Sequence, residues 1–595
     1  MVLRHRARGR PALTSSNGGP VRGWRSIAEG PRPVKRSAGA VRRHATTLRS
    51  VATTLLDLLD DAVAANGDAT ALSLRLDDGT TTTWSYRELE RRSRYAAWRL
   101  GSLGLAAGDR VLTWSPSMPG LPAAYFGAMR AGLIFVPLDL RMSPDAIEGI
   151  VRASGARHLI LGTGRDAPDP REAGLGSFPT TAVDALTANP DPSFPPDWEA
   201  QLAARPVPAA GDVFELVFTS GTTGTPKGVM LAHDNVMASI ESFHRIVPPM
   251  EHRLVSLLPL SHLLEQSVGL YYALSVGADI LYVRSRNPRV IFDALRDHQV
   301  TSMVVVPQVL DLFWSAIERE VAKRRRGTAF RRLRQLARRL PMRLRPRLFG
   351  SIHGQLGGHF RLFLSAGAFL PPALQQGWED LGVTILQGYG ATETGTGSCT
   401  TLDDHGLGTV GRPPAGVEMR LADDGEIQFR GPTVFRGYWE NPTATAEAFT
   451  PDGWYRTGDI GHLDPAGRLI LSGRVKDIIV LPNGFNVYPE DIENALRIAG
   501  IRDSVVLETR PGRIEAVVLG SAAGDPGAVG EAAPEAVRER MDAAVKTANA
   551  TLGPNQRIAG WRLWPEEDFP RTHTLKVKRA PVRAWAAVDT PLPVG

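Results

Sequence analysis

Residues 213–228 read VFELVFTSGTTGTPKG. The first six are β-branched, aromatic or otherwise apolar apart from Glu215, a strand pattern. They run directly into glycines, hydroxyl residues and one cation. Glycines at 221 and 224 let backbone approach an anion closely, the hydroxyls of Thr219, Ser220, Thr222 and Thr223 donate to phosphate oxygens, and Lys227 supplies charge. The common nucleoside-triphosphate loop places its lysine after a glycine and before Ser or Thr. Here Lys227 follows Pro226 and precedes Gly228, so this is a different phosphate loop. The bland alternative is a glycine-rich hairpin with exposed hydroxyls.

Working outward, strand and helix signals alternate on the N-terminal side: a helical pattern over 86–104, strand-like 110–114, then 121–131, 134–136, 146–154 and 158–161. Such alternation predicts an α/β fold with layered, mostly parallel sheets. Residues 163–211, rich in Pro, Asp and Ala, read as a long loop region. A second break falls near Gly473-Arg474. Beyond it a β-rich 478–481, a helix over 490–497, strands at 504–508 and 514–519, a loop at 521–534 and a helix over 534–552 predict a small α+β domain. The expected division is a basic tail at 1–50, a large domain at 51–473 and a small mobile domain at 474–595.

The composition, 43% hydrophobic and 22% charged, is that of a globular chain. Its formal charge of +7 is unevenly spread. Residues 1–50 carry twelve Arg or Lys against Glu29, and residues 319–350 carry thirteen against Glu320. Two basic blocks on an otherwise balanced chain argue against a nucleic-acid binder. The first block, rich in Arg, Gly, Pro and Ser, reads as disordered; it is Arg-rich like a transit peptide but lacks an amphipathic face. The second has Phe330, Leu333, Leu336, Ala337 and Leu340 at helical spacing, with 333, 336 and 340 as one apolar stripe. Its two readings are a basic helix on an anionic membrane surface and a helix packed on the core with a solvated Arg face. The one cysteine, Cys399, excludes a disulfide within the chain and fits a reducing, cytoplasmic setting. No stretch has the roughly 18 apolar residues of a membrane span, so any membrane contact is expected to be peripheral, at the inner face.

Further motifs follow in order: Pro259-Leu260-Ser261-His262 with Glu265, QGYGATETG at 387–395, YRTGD at 455–459, GRVKD at 473–477, PNGFNVYPEDIE at 482–493 and PRTHTLK at 570–576. Together with the 219–228 loop they resemble the adenylate-forming superfamily, and within it the long-chain fatty acyl-CoA synthetases, over about residues 55–582. Leu575, where a glycine is commoner before the lysine, is similar to those synthetases in particular.

The resemblance implies a reaction in two steps. A carboxylate attacks the α-phosphate of ATP, giving an acyl-adenylate and pyrophosphate; the thiol of CoA then displaces AMP. It implies Glu393 as ligand of Mg²⁺, assisted by Thr219 or Thr392, and Tyr389 with Gly388 against adenine. Asp459 and Arg474 would hold the ribose, although a buried Asp–Arg pair is the plain alternative for both. Lys576 is implied as the lysine of the first step, Lys476 as the hinge position, and Gly484 as lining the pantetheine path. Lys578 and Arg579 read as ordinary solvated cations. His262, Leu263, Ser267, residues 365–369 and Gly388 are expected at an acyl site with no charge for a polar tail. The implied partners are fatty acid, ATP and CoA, with a homodimer as the assembly and no nucleic acid. Two alternatives remain: a fatty acyl-AMP ligase loading a carrier protein, and a non-catalytic nucleotide-binding scaffold.

Overall fold

A computed structural model describes residues 52–588 apart from 77, 221–225, 286, 484, 502, 521–533 and 572–576. The basic tail, Gly221, Thr222, Thr223, Gly224, Gly484 and Lys576 therefore lie outside the described residues. Those described belong to one compact unit beginning at Ala52.

Two sheets form the body. The first is ordered Thr180–Ala182, His158–Leu161, Arg110–Trp114, Ile134–Leu138, Val213–Ser220, Pro226–Ala232, parallel except for the last, antiparallel pair. The second has eight strands, six of them a parallel run from Thr384–Tyr389 to Thr70–Arg75, with an antiparallel strand at each edge. Inner strands such as Ile134–Leu138, Ser302–Val305 and Leu362–Ser365 are buried throughout, as parallel strands covered on both faces must be, whereas the edge strands Thr81–Ser85 and Thr180–Ala182 are largely polar and part exposed. Between them lies helix Gly120–Arg130, in which every residue up to Met129 is buried. A helix apolar all round has no solvent face to offer. Gly127 explains how closely it sits: a Cβ there would come within 2.6 Å of Ala96 Cβ on helix Tyr86–Ser102.

A four-stranded antiparallel sheet, Glu418–Leu421, Glu426–Arg430, Tyr455–Leu463 and Leu469–Arg474, precedes the C-terminal elements. These are helix Pro489–Ile498, strands Ser504–Arg510, Arg513–Val518 and Gly560–Leu563, and helices Pro534–Asn549 and Arg579–Ala587. Most of them share an apolar core of their own built on Val487, Ile492, Leu496, Val506, Ile514 and Met541, while helix Arg579–Ala587 packs through Val582 and Ala586 into a second cluster with Val505, Leu507 and Val517. The fold class is thus α/β with layered, mostly parallel sheets and a smaller α+β portion at the C-terminal end.

Two expectations change. Residues 163–211 are not a plain loop. Thr180–Ala182 adds a parallel strand beside His158–Leu161, while Phe194 and Trp198 meet Tyr95 of helix Tyr86–Ser102 edge to face and Phe194 packs at a tilt against Trp98. Scattered aromatic residues anchored a segment whose Pro and Asp content masked it. In the basic block, the helix Gly327–Ala337 buries Phe330 and Ala337, whereas Leu333 and Leu336 are 36% and 48% exposed. The expected stripe is therefore not the buried face.

Candidate active site

The loop expected to hold phosphate is carried by a hairpin. Thr219 pairs with Lys227 and Ser220 with Pro226 across residues 221–225. The chain continues as strand Pro226–Ala232 rather than as a helix, so no helix dipole helps to hold an anion here. The charge comes from Lys227, whose Nζ lies 5.1 Å from the centre of the Tyr438 ring.

Tyr438 is the joint of the site. Its segment runs beside the hairpin: Trp439 N–H donates to the Gly228 carbonyl at 2.8 Å and Met230 N–H to that of Gly437 at 3.2 Å. Its hydroxyl donates to Glu393 Oε1 at 3.1 Å. Phe435 N–H donates to the Glu393 carbonyl at 2.8 Å. Glu393 itself sits in a loop folded back on its own backbone; a Cβ on Gly390 would lie 2.1 Å from the Gly395 carbonyl oxygen, so only glycine fits there. Burial pushes the Glu393 carboxyl above the ordinary carboxylate range, partly offset by hydrogen bonding to its own backbone and to Tyr438.

The ribose motif stands next to this group. Tyr389 hydroxyl donates to Asp459 Oδ2 at 2.7 Å, and Arg474 Nε lies 2.9 Å from Asp459 Oδ1. Arg474 and Asp459 face each other across the antiparallel pair Tyr455–Leu463 and Leu469–Arg474. Within strand Tyr455–Leu463, Gly458 adopts a positive φ of 67° and donates its N–H to Glu426 Oε1 at 3.1 Å. Glu393 is close enough to feel the charges of both Arg474 and Asp459. Lys227, Glu393, Tyr389, Asp459 and Arg474, drawn from four separate motifs, therefore meet in one place. Thr219 and Thr392 are half-buried and Lys476 is exposed.

His262 belongs to a second cluster. Its Nε2 is 3.1 Å from Asp139 Oδ2, and Asp139 is also gripped by Arg141 through Nε at 2.9 Å and Nη2 at 3.0 Å. The Ser261 hydroxyl adds a contact at 3.3 Å. These hydrogen bonds outweigh burial and hold the Asp139 carboxyl well below its usual range. Asp139 follows strand Ile134–Leu138, at the carboxyl end of a parallel strand where ligands of α/β sheets gather. Of the small residues expected at an acyl site, Gly388 and Ala366 are neighbours: a Cβ at Gly388 would stand 3.9 Å from Ala366 Cβ and 3.7 Å from Cys399 Sγ. Burial pushes the Cys399 thiol up to about 12, so it packs and does not react.

Sequence reading missed Tyr438, Asp139 and Arg141, and it misplaced Arg579. Far from being a solvated cation, Arg579 is 17% exposed and forms a two-pronged ion pair with Glu493 at 2.7 Å on each prong. Lys578 is exposed, as expected. Glu393 fits a magnesium ion: it is half-buried, and among the described residues no cation forms an ion pair with it. Nor does any group of three His, Cys, Asp or Glu among them form a ready metal cage, and Mg²⁺ commonly takes one or two carboxylates with phosphate oxygens completing its shell.

Layered parallel sheets, a glycine-rich hairpin and a carboxylate–arginine pair beside it are the arrangement expected of an α/β enzyme of the adenylate-forming class. The chain belongs to the AMP-binding enzyme family, whose model matches residues 59–439. It is 32% identical over 578 residues to the long-chain-fatty-acid–CoA ligase FadD15 of Mycobacterium bovis, covering 87% of this chain and 93% of that protein. It is 29% identical to a long-chain-fatty-acid–CoA ligase of Escherichia coli O157:H7, over 79% of this chain and 84% of that one. The fold is shared with the Bacillus subtilis o-succinylbenzoate CoA synthetase solved with ATP and magnesium ion, at a TM-score of 0.67 and 21% identity, covering 87% of this chain and 98% of that one.

Proposed function

We propose that this enzyme activates a fatty acid with ATP and transfers the acyl group to CoA. A carboxylate oxygen of the acid attacks the α-phosphorus; the bond to the bridging oxygen breaks and pyrophosphate leaves with its electron pair. The CoA sulfur then attacks the acyl carbon, AMP leaves from the mixed anhydride, and the thiol proton passes to solvent. The observation that carries the reading is the Lys227–Tyr438–Glu393 contact set beside the Tyr389–Asp459–Arg474 set. One offers charge for phosphates, the other a diol acceptor and donors for ribose.

In this reading the 219–228 hairpin and Lys227 hold the β- and γ-phosphates, and Tyr389 with Gly388 borders adenine. Glu393 and Thr219 hold Mg²⁺, which neutralises phosphate charge when bound. His262, oriented by Asp139, borders the reacting carboxylate. Lys576 bridges carboxylate and α-phosphate, and Gly484 lines the thiol path after the portion beyond Arg474 has turned about the hinge. Catalysis is then positioning and electrostatics. Purified protein with ATP, palmitate and CoA is expected to yield AMP and palmitoyl-CoA. AMP release without the thioester would indicate carrier-protein loading, and no AMP at all would leave a binding scaffold. Lys576→Ala is expected to abolish pyrophosphate release while sparing thioester formation from supplied palmitoyl-AMP.

Peripheral membrane contact through 319–350 belongs to the same proposal. Among the described residues no helix is long and apolar enough to cross a membrane. Leu333 and Leu336 are exposed between Arg331, Arg332 and Arg339, also exposed, a pairing suited to anionic headgroups. Flotation with phosphatidylglycerol vesicles is expected to carry the enzyme at low salt and release it at high salt. Unchanged partition across that range sinks this contact. A homodimer rests on the family likeness alone, and light scattering tests it.

A further inference from the structure

Glu215 is the one charged residue in strand Val213–Ser220, and it is fully buried. It stands opposite Phe135 in the parallel pair with strand Ile134–Leu138. Four residues further along each chain come Thr219, which pairs with Lys227, and Asp139, which holds His262. Glu215 therefore underlies the strand ends on which both clusters of the site are built. Its Oε1 accepts from Gln266 Nε2 at 2.7 Å. Burial pushes the Glu215 carboxyl up to about 8, so at neutral pH it is an uncharged acid that offers an acceptor.

Gln266 is equally buried and belongs to Glu265–Tyr272, a stretch wound as a π-helix with every residue buried. Such turns are rare and gather at functional sites. Gln266 grips the turn ahead of it twice. Its N–H donates to the His262 carbonyl at 3.1 Å, and its Nε2 reaches back to the Leu260 carbonyl at 2.8 Å. The Leu260 carbonyl also accepts from the Tyr125 hydroxyl at 3.2 Å, and the His262 N–H donates to the Pro259 carbonyl at 3.1 Å. One carboxamide thus ties the 259–262 turn to the strand that enters the glycine-rich hairpin.

Stability alone does not account for this bridge. Glu215 Oε2 and Gln266 Oε1 are buried and find no hydrogen-bond partner among the described residues, which carries a desolvation cost. An apolar pair of like shape would leave no such atoms. What the polar bridge adds is direction: two acceptors on two different elements fix where the carboxamide, and the turn it holds, can stand. We propose that Gln266, seated on Glu215, is a positioning residue for adenylation, setting His262 at a fixed height against Thr219 and Lys227 of the hairpin. This rests on the reading of His262 as bordering the reacting carboxylate. A carboxylate oxygen must meet the α-phosphorus closely and in line, so a slip of the 259–262 turn along the hairpin strand parts the two reactants.

The test measures pyrophosphate release from palmitate and ATP, together with Tm, on the full-length enzyme. Gln266→Met keeps the length of the side chain and removes both of its hydrogen bonds. It is expected to lower kcat about 100-fold, the scale of a reacting group displaced by about 1 Å, with the ATP KM within about threefold. The double variant Glu215→Leu with Gln266→Met removes both partners at once, so it is expected to keep Tm while losing kcat to the same extent. Glu215→Gln retains an acceptor at Oε1 and is expected to stay within about threefold of the wild-type kcat. The inference is overturned by a wild-type kcat in Gln266→Met, or by a double variant that does not fold or whose kcat falls only in step with Tm. A Glu215→Gln rate as low as that of the double variant overturns it too. His262→Ala separates the two claims. If it lowers kcat about 100-fold while Gln266→Met does not, the inference falls alone. If it leaves kcat at the wild-type level, the reading of His262 falls, and the inference with it.

Discussion

At the scale of single residues, Tyr438 does the most joining. Its ring faces Lys227 and its hydroxyl reaches Glu393. A hydrogen bond to a charged group contributes about 1.5–3 kcal/mol. Tyr438→Phe is therefore expected to reduce kcat/KM for ATP about tenfold or more, read as pyrophosphate release across a Mg²⁺ titration. A variant as active as wild type at every Mg²⁺ concentration would remove Tyr438 from the site. Glu393→Gln keeps the shape and removes the charge. Because burial disfavours the Glu393 charge in the free enzyme, the variant is expected to keep or raise Tm while losing about 100-fold in the first half-reaction. Loss of Tm in parallel with activity would mark Glu393 as structural. Glu393 was legible because its neighbours at 387–395 are contiguous. Tyr438 was not, because the contact spans 45 positions and nothing in RGYW announces which acid the phenol will meet.

At the scale of elements, helix Gly327–Ala337 shows how one basic pattern divides into two duties. Arg334 and Arg338 turn toward Asp380, whose carboxylate accepts from Arg334 Nε at 3.0 Å, Arg338 Nε at 2.9 Å and Gln376 Nε2 at 2.9 Å. Asp380 is fully buried and ends helix Pro372–Asp380, where the dipole alone would disfavour an acid. The arginines offset that. Removing one partner of a buried pair leaves the other uncompensated, so Asp380→Ala is expected to destabilise by about 3 kcal/mol. Arg338→Ala, at a half-exposed arginine, is expected to cost about 1 kcal/mol. Urea denaturation decides both, and equal effects would contradict the assignment. Periodicity located this helix but could not rank its faces. The leucines at 333 and 336 and the arginines at 334 and 338 interleave, and only the position of Asp380 decides which side turns inward. The same limit applied to Arg579, which looks like one cation in a basic run until Glu493, 86 positions earlier, is brought beside it. The alternation of strand and helix over 86–161 was legible, because central strands such as Ile134–Leu138 are buried throughout and therefore apolar whatever their neighbours, whereas the edge strand Thr180–Ala182, part exposed, carries no such signal.

At the scale of the whole molecule, buried titratable groups set a pH window. Burial pushes the carboxyls of Glu215 and Glu265 up to about 8 from an ordinary 4.5, and the imidazoles of His233 and His252 down to about 4 from 6.5. For the two acids the folded chain holds protons that the unfolded chain releases, so their contribution is complete below pH 4.5 and is lost as pH rises through 8. For the two histidines the unfolded chain takes up protons first, so their contribution is complete above pH 6.5 and is lost as pH falls through 4. The two trends oppose one another between 4.5 and 6.5. Between 6.5 and 8 only the acids act. Tm is therefore expected to fall between pH 6.5 and 8, and again on the acid side below pH 4.5. Glu265→Gln carries no titrating proton at that position, so its Tm is expected to decline less steeply than wild type above pH 6.5 while its acid limb is unchanged. Parallel alkaline limbs for the two proteins, measured by calorimetry across that range, would show that the buried carboxyl of Glu265 does not set the decline.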